Sequence, residues 1–210
     1  MNQSNGQIFN IKRFMQSMTN RLLLITIIAY FVIEALFANA WSGLELYHWE
    51  SSAFRPWQVF TYLFLHSGYF HLGANMFALW SFGRVLESVW GKQRFLIFYI
   101  ACGVGAAIVQ QLIDTLVFSN SNNDVMVGAS GAIYGILIAF ALLFPNFKIF
   151  LLFIPVPVAA KYFVPVLLLI DLSAGITGIS IFGLNVAHFA HLGGALTGLL
   201  LVMLWLNNKK

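Results

Sequence analysis

Long apolar segments separated by short polar stretches dominate the hydrophobicity pattern of this chain. Six are visible, each near the length of about 20 residues that a helix needs to cross roughly 30 Å of hydrocarbon. They cover residues 22–40, 68–83, 94–117, 129–145, 162–178 and 185–206. The pattern therefore predicts an all-α membrane protein with a bundle of six transmembrane helices.

The composition agrees with this class, because 60% of the residues are hydrophobic and 9% are charged. Soluble globular proteins carry about 25% charged residues. We expect a cytoplasmic N-terminal segment over residues 1–21, one six-helix domain over 22–206 and a short basic cytoplasmic tail over 207–210. Cys102, the single cysteine, lies in an apolar run and is predicted to be a packed core thiol without a disulfide.

The basic residues indicate an orientation. If the six segments cross the membrane, all but one of the eleven Lys and Arg residues lie on the same side. The positive-inside rule makes that side cytoplasmic, with both termini inside and Arg55 alone on the outer face. The net charge of +4 is then a topology signal, and the expected partner is the lipid bilayer, not nucleic acid.

Two connecting segments are unusual. Residues 41–58, the predicted first outer loop, hold four aromatic residues of the kind that favour the membrane interface, so we expect this loop to lie on or dip into the outer leaflet. Residues 149–158 are apolar but contain Pro155 and Pro157, and Lys161 follows. We interpret them as an apolar connector that lies at the inner surface.

Polar residues with possible chemistry open the second, fourth and sixth predicted spans. They are His66, His71, Asn75, Ser130, His188 and His191. Spans of even number all run from outside to inside, so these residues are expected to face the outer half of the membrane. The acids Glu34, Asp114 and Asp171 also lie near outer ends of spans, where a carboxylate can reach the interface at little cost.

Ser130 lies in Gly128-Ala129-Ser130-Gly131 at the start of the fourth span. A serine becomes a useful nucleophile when a neighbouring base takes its proton, and free N–H groups at a helix start can stabilise an oxyanion. Glycines on either side, Gly128 and Gly131, would let a substrate carbonyl approach. The same small residues are also typical of simple helix packing in membranes.

His71 and Asn75 are four residues apart and therefore share one helix face. Both can donate hydrogen bonds, which makes them candidates for holding an oxyanion, or alternatively an ordinary interhelical hydrogen-bonded pair. His66 would lie roughly 140° away on the same helix, so we interpret it as a loop anchor outside that site.

Metal and cofactor chemistry fit the sequence less well. The two histidine clusters lack adjacent carboxylates and no His-Glu-x-x-His motif is present, so zinc is disfavoured. A haem between histidines of different spans, in a membrane electron carrier, is an alternative function, but it leaves Ser130 and its glycines unexplained.

The motifs together resemble those of the rhomboid intramembrane serine proteases. The resemblance covers residues 57–198 and is carried by His66-x4-His71-x3-Asn75, by Gly128-Ala129-Ser130-Gly131, and by Ala187-His188 with Gly194 and Gly198. It implies a hydrolase, a serine endopeptidase performing intramembrane proteolysis, that cuts transmembrane segments of other membrane proteins near the outer face. The substrates would carry a small residue before the scissile bond, and no cofactor is implied.

The resemblance also implies roles for single residues. Ser130 would be the nucleophile and His188 its base, in a catalytic dyad without an aspartate, with His71, Asn75 and the Ser130 backbone N–H as the oxyanion hole. Supporting roles would fall to Tyr134, stacked on the catalytic histidine, to Gln110, guiding water inward, and to Glu87, a structural carboxylate.

Some positions leave alternatives open. His191 would be a packed interhelical donor, and Gln58 stands where many relatives have arginine. We expect a multi-pass protein of a bacterial-type inner (plasma) membrane. An inactive relative that binds membrane proteins or serves quality control is the alternative within the same fold, and the sequence does not determine the oligomeric state.

Overall fold

A computed structural model describes residues 11–36, 43–117, 125–151, 154–178 and 187–207, and helices account for most of the regular structure in these ranges. The helices are α1 (Ile11–Phe14), α2 (Met18–Leu36), α3 (Gln58–Thr61), a 3-10 turn (Tyr62–Phe64), α4 (Tyr69–Ala78), a π-helical turn (Leu79–Gly83), α5 (Arg84–Trp90), α6 (Lys92–Leu116), α7 (Ser130–Leu143), α8 (Ala160–Thr177) and α9 (His188–Asn207). The prediction of a mainly helical membrane protein is confirmed.

Three of the described helices are long and apolar enough to cross a membrane, namely α6, α8 and α9. The apolar part of α2, Met18–Ile33, and helix α7 are shorter. The predicted second span, residues 68–83, coincides with α4 and the π-helical turn, and α5 continues the helix beyond its inner end without a break. The described part of each predicted span is thus mainly helical, and the crossing of all six stays a prediction.

Glycine contacts bring α6, α7 and α9 together in the centre of the fold. A Cβ atom at Gly198 of α9 would lie 2.8 Å from the Cα of Gly135 in α7. On another face of α9, a Cβ atom at Gly193 would lie 3.1 Å from the carbonyl oxygen of Gly105 in α6. Small residues allow membrane helices to approach this closely. Cys102 is buried among these helices as a free thiol, as predicted.

Residues 148–151 and 154–159, which hold the described part of the predicted apolar connector, have regular structure. They fold into an antiparallel hairpin of β1 (Lys148–Leu151) and β2 (Ile154–Ala159), with Lys148 opposite Ala159. The prolines disfavour helix but are tolerated in a two-stranded hairpin, where each strand has an edge that needs no N–H partner. The hairpin pairs backbone groups that an irregular apolar connector would leave unsatisfied.

The described part of the first loop is folded against the protein. Leu46 forms a backbone bridge with Met126, just before the start of α7. The buried Gln58 side chain accepts a hydrogen bond from the Arg55 N–H at 3.1 Å and donates one to the Ala53 carbonyl at 3.1 Å. Gln58 therefore anchors this loop itself. Trp41 lies outside the described residues, and the position of the loop relative to lipid stays a prediction.

Glu87 of α5 holds the start of α2, in line with the structural role that the resemblance implied. Its carboxylate accepts hydrogen bonds from the Ser17 hydroxyl at 2.7 Å, from the Met18 N–H at 2.6 Å, and from both the N–H and hydroxyl of Thr19 at 2.9 and 2.7 Å. Backbone N–H groups at a helix start have no partner within the helix. One side chain thus caps α2 and ties it to α5.

Candidate functional site

Ser130 is the first residue of α7, and the segment before it is held open by a glycine. Gly128 has a φ of +121°, which disfavours residues with a side chain, and a Cβ atom there would lie 2.7 Å from the His71 ring. The Gly128 N–H donates to the Tyr62 carbonyl at 2.9 Å. Ser130 is therefore presented at a helix start, with a glycine-lined space beside it. Gly131, the next residue, packs against Ala106 of α6.

The histidine that meets Ser130 is His191. Its Nε2 lies 2.8 Å from the Ser130 Oγ. The predicted pairing of Ser130 with His188 is wrong, because the His188 Nδ1 lies 2.6 Å from the Asp171 Oδ1 instead. The two histidine rings are 6.3 Å apart between centroids.

Helix packing explains which histidine reaches the serine. Gly194 and Gly198 press α9 onto α7 at Gly131 and Gly135. His191 precedes these glycines by three and seven residues, which places it within roughly 60° of both around the helix, whereas His188 is up to about 120° away. The spacing of three and seven residues from His191 to these glycines was the sequence signal for this residue.

Asp171 of α8 completes the cluster, although sequence reasoning placed it at the outer end of a span without a role. Its Oδ1 lies 3.1 Å from the His191 Nδ1, and its Oδ2 accepts a hydrogen bond from the Tyr134 hydroxyl. Asp171 is buried. It lies six residues before the end of α8, about 9 Å along the axis. The signal was an acid inside an apolar helix with no basic residue nearby, a pattern typical of functional sites.

Tyr134 packs its ring flat on His191. The centroids are 4.2 Å apart and the ring planes are inclined by 9°. The predicted stacking of Tyr134 on a histidine is therefore present, with His191 as the partner. The contact fixes the plane of the imidazole from one side while Asp171 and Ser130 contact its two nitrogens.

His71 and Asn75 lie across from Ser130, on α4. The His71 ring contacts the Gly128 position, and its Nδ1 lies 3.1 Å from the Ser67 Oγ. Asn75 is buried, and among the described residues its Nδ2 has no hydrogen-bond partner. That Nδ2 lies 3.9 Å from where a Cβ of Gly128 would be. Buried amide donors without a partner are uncommon in proteins, and a catalytic role is one reason for such a group.

His66 is closer to this group than the sequence indicated. Its buried ring lies edge-on to His71, with 4.9 Å between centroids. The predicted separation of His66 from His71 around one helix does not apply, because His66 precedes α4 and does not belong to that helix. His66 supports the His71 ring.

Gln110 of α6 contacts the start of α9. Its Oε1 accepts a hydrogen bond from the Ala190 N–H at 2.9 Å, and its Nε2 donates to Asp114 at 2.8 Å. The first of these bonds satisfies a backbone donor in the first turn of α9 and fixes the helix next to His191. The contact positions the helix, and guidance of water by Gln110 stays a prediction.

A cavity of about 850 Å³ opens onto these groups. Its lining includes Tyr69 and His71 from α4, Met126 and Gly128 before α7, and Ser130 and His191 themselves. Such a volume is typical of a ligand pocket. It provides the space that a substrate segment and water need at the serine.

The side chains of Asp171, His188 and His191 could also hold a metal ion, since one ligand atom from each lies within 4.8 Å of the others. Asp171 is a carboxylate beside the two histidines, whereas zinc was disfavoured from the sequence because no such carboxylate was expected there. In this structure Asp171 forms hydrogen bonds with both histidines, and His191 also forms one with Ser130.

The fold and the site together define a helical membrane protein with a serine, a histidine and an aspartate arranged as in serine hydrolases. Residues 53–208 match the family model described as Rhomboid domain. This match covers well over half of the chain, which belongs to the rhomboid family.

Curated relatives agree with this assignment. The chain is 35% identical over 173 residues to Rhomboid-like protein 11, chloroplastic, of Arabidopsis thaliana, covering 80% of this chain and 57% of the relative. It is 33% identical over 141 residues to Rhomboid protein 1, mitochondrial, of Saccharomyces cerevisiae, covering 65% and 38%. It is 30% identical over 152 residues to the human Presenilin-associated rhomboid-like protein, mitochondrial, covering 70% and 38%. The matched regions therefore span between about two fifths and three fifths of these relatives.

The relatives also correct the expected location. Their names carry the terms mitochondrial and chloroplastic, which are organellar locations. The expectation of a bacterial-type plasma membrane is contradicted by this comparison. A multi-pass membrane protein remains the description that the helices support.

Proposed function

We propose that this chain is an intramembrane serine endopeptidase in which Ser130 is the nucleophile and His191 its general base. The observation that carries the proposal is the 2.8 Å contact between the Ser130 Oγ and the His191 Nε2 at the cavity. A serine in hydrogen-bond reach of an oriented histidine is the arrangement that nucleophilic catalysis requires. The family membership supports the same reaction class.

The reaction follows from the positions of these groups. The Ser130 Oγ attacks the carbonyl carbon of a substrate peptide bond while His191 Nε2 takes the hydroxyl proton. His191 then gives this proton to the leaving amine as the C–N bond breaks, which leaves an acyl group on Ser130. A water molecule attacks the ester, His191 takes a proton from it and returns one to the Ser130 Oγ, and the carboxylic acid product leaves.

A negative charge develops on the substrate carbonyl oxygen when Ser130 attacks the peptide bond and again when water attacks the ester. Hydrogen-bond donors are needed to stabilise that charge. The first backbone N–H of α7 belongs to Ser130 and has no acceptor within the helix. The Asn75 Nδ2 is buried, without a partner among the described residues and directed toward the glycine-lined space, and His71 lies beside it. These groups are our candidates for the oxyanion hole.

The expected substrates are transmembrane segments of other membrane proteins, cut near the outer face. This rests on the predicted six-span topology with both termini inside, which would place Ser130 and His191 in the outer half of the bilayer.

Purified protein in detergent tests the proposal without a known substrate. A fluorophosphonate probe, which reacts with activated serines, should label the unmodified protein and fail to label Ser130→Ala. Ser88→Ala is the matched control, because Ser88 is exposed and its hydroxyl donates to the nearby Val85 carbonyl. The unmodified protein should also cut reconstituted membrane proteins.

The same assay should distinguish the roles of the two histidines. His191→Ala should lose labelling. His188→Ala should still be labelled, because Ser130 keeps its base in that variant. Absence of labelling in the folded unmodified protein would favour the alternative that this chain is an inactive member of the family. Labelling that persists in Ser130→Ala would contradict the assigned nucleophile.

A further inference from the structure

The other ring nitrogen of His191 has a defined partner that a serine–histidine dyad does not require. The Asp171 Oδ1 lies 3.1 Å from the His191 Nδ1, on the side of the ring opposite Ser130. Resting on the proposed function, we infer that Asp171 is a positioning residue for His191, so that the site works as a Ser130–His191–Asp171 triad within the membrane.

The tautomer of His191 is the first reason. Nε2 can take the serine proton only when it carries a lone pair, so in the neutral ring the hydrogen must be on Nδ1. A carboxylate oxygen at 3.1 Å can accept that hydrogen and cannot donate one when ionised. Asp171 therefore favours the tautomer that leaves Nε2 free to act as the base.

The charge of the reaction is the second reason. When Nε2 takes the proton from Ser130, the ring becomes a cation in a poorly solvated place. The Asp171 carboxylate lies directly against the Nδ1–H of that cation and stabilises it without accepting the proton. The proton remains on His191 until it passes to the leaving amine.

The surroundings of Asp171 are built to keep a carboxylate in place, which is the third reason. Burial of an ion costs several kcal/mol unless hydrogen bonds compensate it. His188 donates from Nδ1 to Oδ1 at 2.6 Å, and the Tyr134 hydroxyl donates to Oδ2. The Asp171 side chain is 7% exposed. His188 and Tyr134 thus orient the carboxylate that orients His191.

Other titratable groups around His191 do not offer the same contact. His71 faces it from α4 across the cavity, and Asp114 of α6 is bonded by Gln110. Tyr134 of α7 stacks on the ring face, and His188, on the same helix, bonds Asp171. Within the described residues, the Asp171 carboxylate is the acid in hydrogen-bond contact with the His191 ring.

The test measures the rate constant for fluorophosphonate labelling of the full-length protein over roughly pH 5 to 9, where histidine changes its charge. Asp171→Asn should slow labelling by about 10²- to 10⁴-fold. The acidic limb of its pH profile should also move to lower pH, because the protonated ring has lost its counter-charge. Glu50→Gln, at an exposed acid, is the matched control and should leave both quantities unchanged.

The outcomes separate three cases. No labelling of the unmodified protein would sink the proposed function itself. If the unmodified protein is labelled and Asp171→Asn matches it, the positioning role is overturned. The positioning role is likewise overturned if Asp171→Asn slows labelling by the same factor at every pH and the acidic limb of the pH profile does not move. That result is expected when the substitution only lowers the fraction of correctly folded, active protein.

A second measurement covers the case in which Asp171→Asn fails to fold. Nitrogen NMR of ¹⁵N-histidine-labelled unmodified protein reads the tautomer of each ring, and the His191 signals are assigned by their loss in His191→Ala. We expect a neutral His191 with hydrogen on Nδ1. A ring carrying hydrogen on Nε2 would overturn the inference.

Discussion

Gly198 of α9 lies so close to Gly135 of α7 that a Cβ atom at position 198 would be 2.8 Å from the Gly135 Cα. One turn earlier, Gly194 lies against the Gly131 carbonyl, immediately after Ser130. These contacts set the distance and the rotation between the helix that carries the serine and the helix that carries His191. The hydrogen bond between the two residues depends on them.

Gly198→Ala should therefore damage both stability and activity. The added methyl group forces α9 away from α7, a type of overpacking that costs about 1–3 kcal/mol. We expect a lower thermal midpoint in detergent and at least a ten-fold loss of fluorophosphonate labelling. Gly73→Ala is the control, because a Cβ atom on Gly73 in α4 has nothing within 4 Å. Equal behaviour of the two variants would refute the packing argument.

Tyr134 acts through two groups that substitution can separate. Tyr134→Phe keeps the ring stacked on His191 and removes the hydroxyl that donates to Asp171. Tyr134→Ala removes both. We expect a loss of labelling rate of about ten-fold for Phe, since one hydrogen bond to a charged group contributes about 1.5–3 kcal/mol at most, and a larger loss for Ala. A rate for Ala equal to that of Phe would show that stacking contributes nothing.

Asn75→Ala should reduce activity without reducing stability. Removal of one oxyanion donor costs about 10²- to 10³-fold in kcat. The Asn75 Nδ2 is buried without a partner among the described residues, so its removal relieves an unsatisfied donor. We expect slower cleavage of a reconstituted transmembrane substrate together with an unchanged or higher thermal midpoint. A drop in stability that accounts for the lost activity would argue against the oxyanion role.

Glu87→Gln should lower stability in a manner that depends on pH. Glu87 lies beyond the predicted inner end of the second span. Burial alone would raise its pKa, but hydrogen bonds from Ser17, Thr19 and Met18 outweigh this and hold the pKa below its ordinary value. A carboxylate with a lowered pKa stabilises the fold above its unfolded pKa, and this stabilisation is lost as pH falls through the folded pKa.

The thermal midpoint of Glu87→Gln should therefore be lower than that of the unmodified protein at pH 7, and the two midpoints should become equal in acid. Glu50→Gln provides the comparison at an exposed acid and should follow the unmodified protein throughout. A difference between Glu87→Gln and the unmodified protein that is constant with pH would assign the effect to packing instead of charge.

Local patterns were sufficient to predict much of this molecule. The lengths of the apolar segments predicted the helices, because a segment that crosses hydrocarbon must be long and apolar enough and must satisfy its own backbone hydrogen bonds. Both are local properties of the segment. Gly128 and Ser130 were found because a serine between glycines at a helix start combines a nucleophile with free backbone N–H donors. The hairpin over β1 and β2 was missed because prolines exclude helix without indicating which strand pairing replaces it.

The membrane class, the helical segments and the serine could all be derived from the order of residues along the chain. Which histidine reaches that serine, and whether Asp171 joins it, depends on how the helices pack. His188 and His191 lie one turn apart on the same helix, and the rotation of α9 about its axis is set by glycine contacts with α7, far away in sequence. Asp171 enters the site because α8 packs beside both helices. Contacts between distant segments fix helix rotation, and no single segment of the chain contains that information.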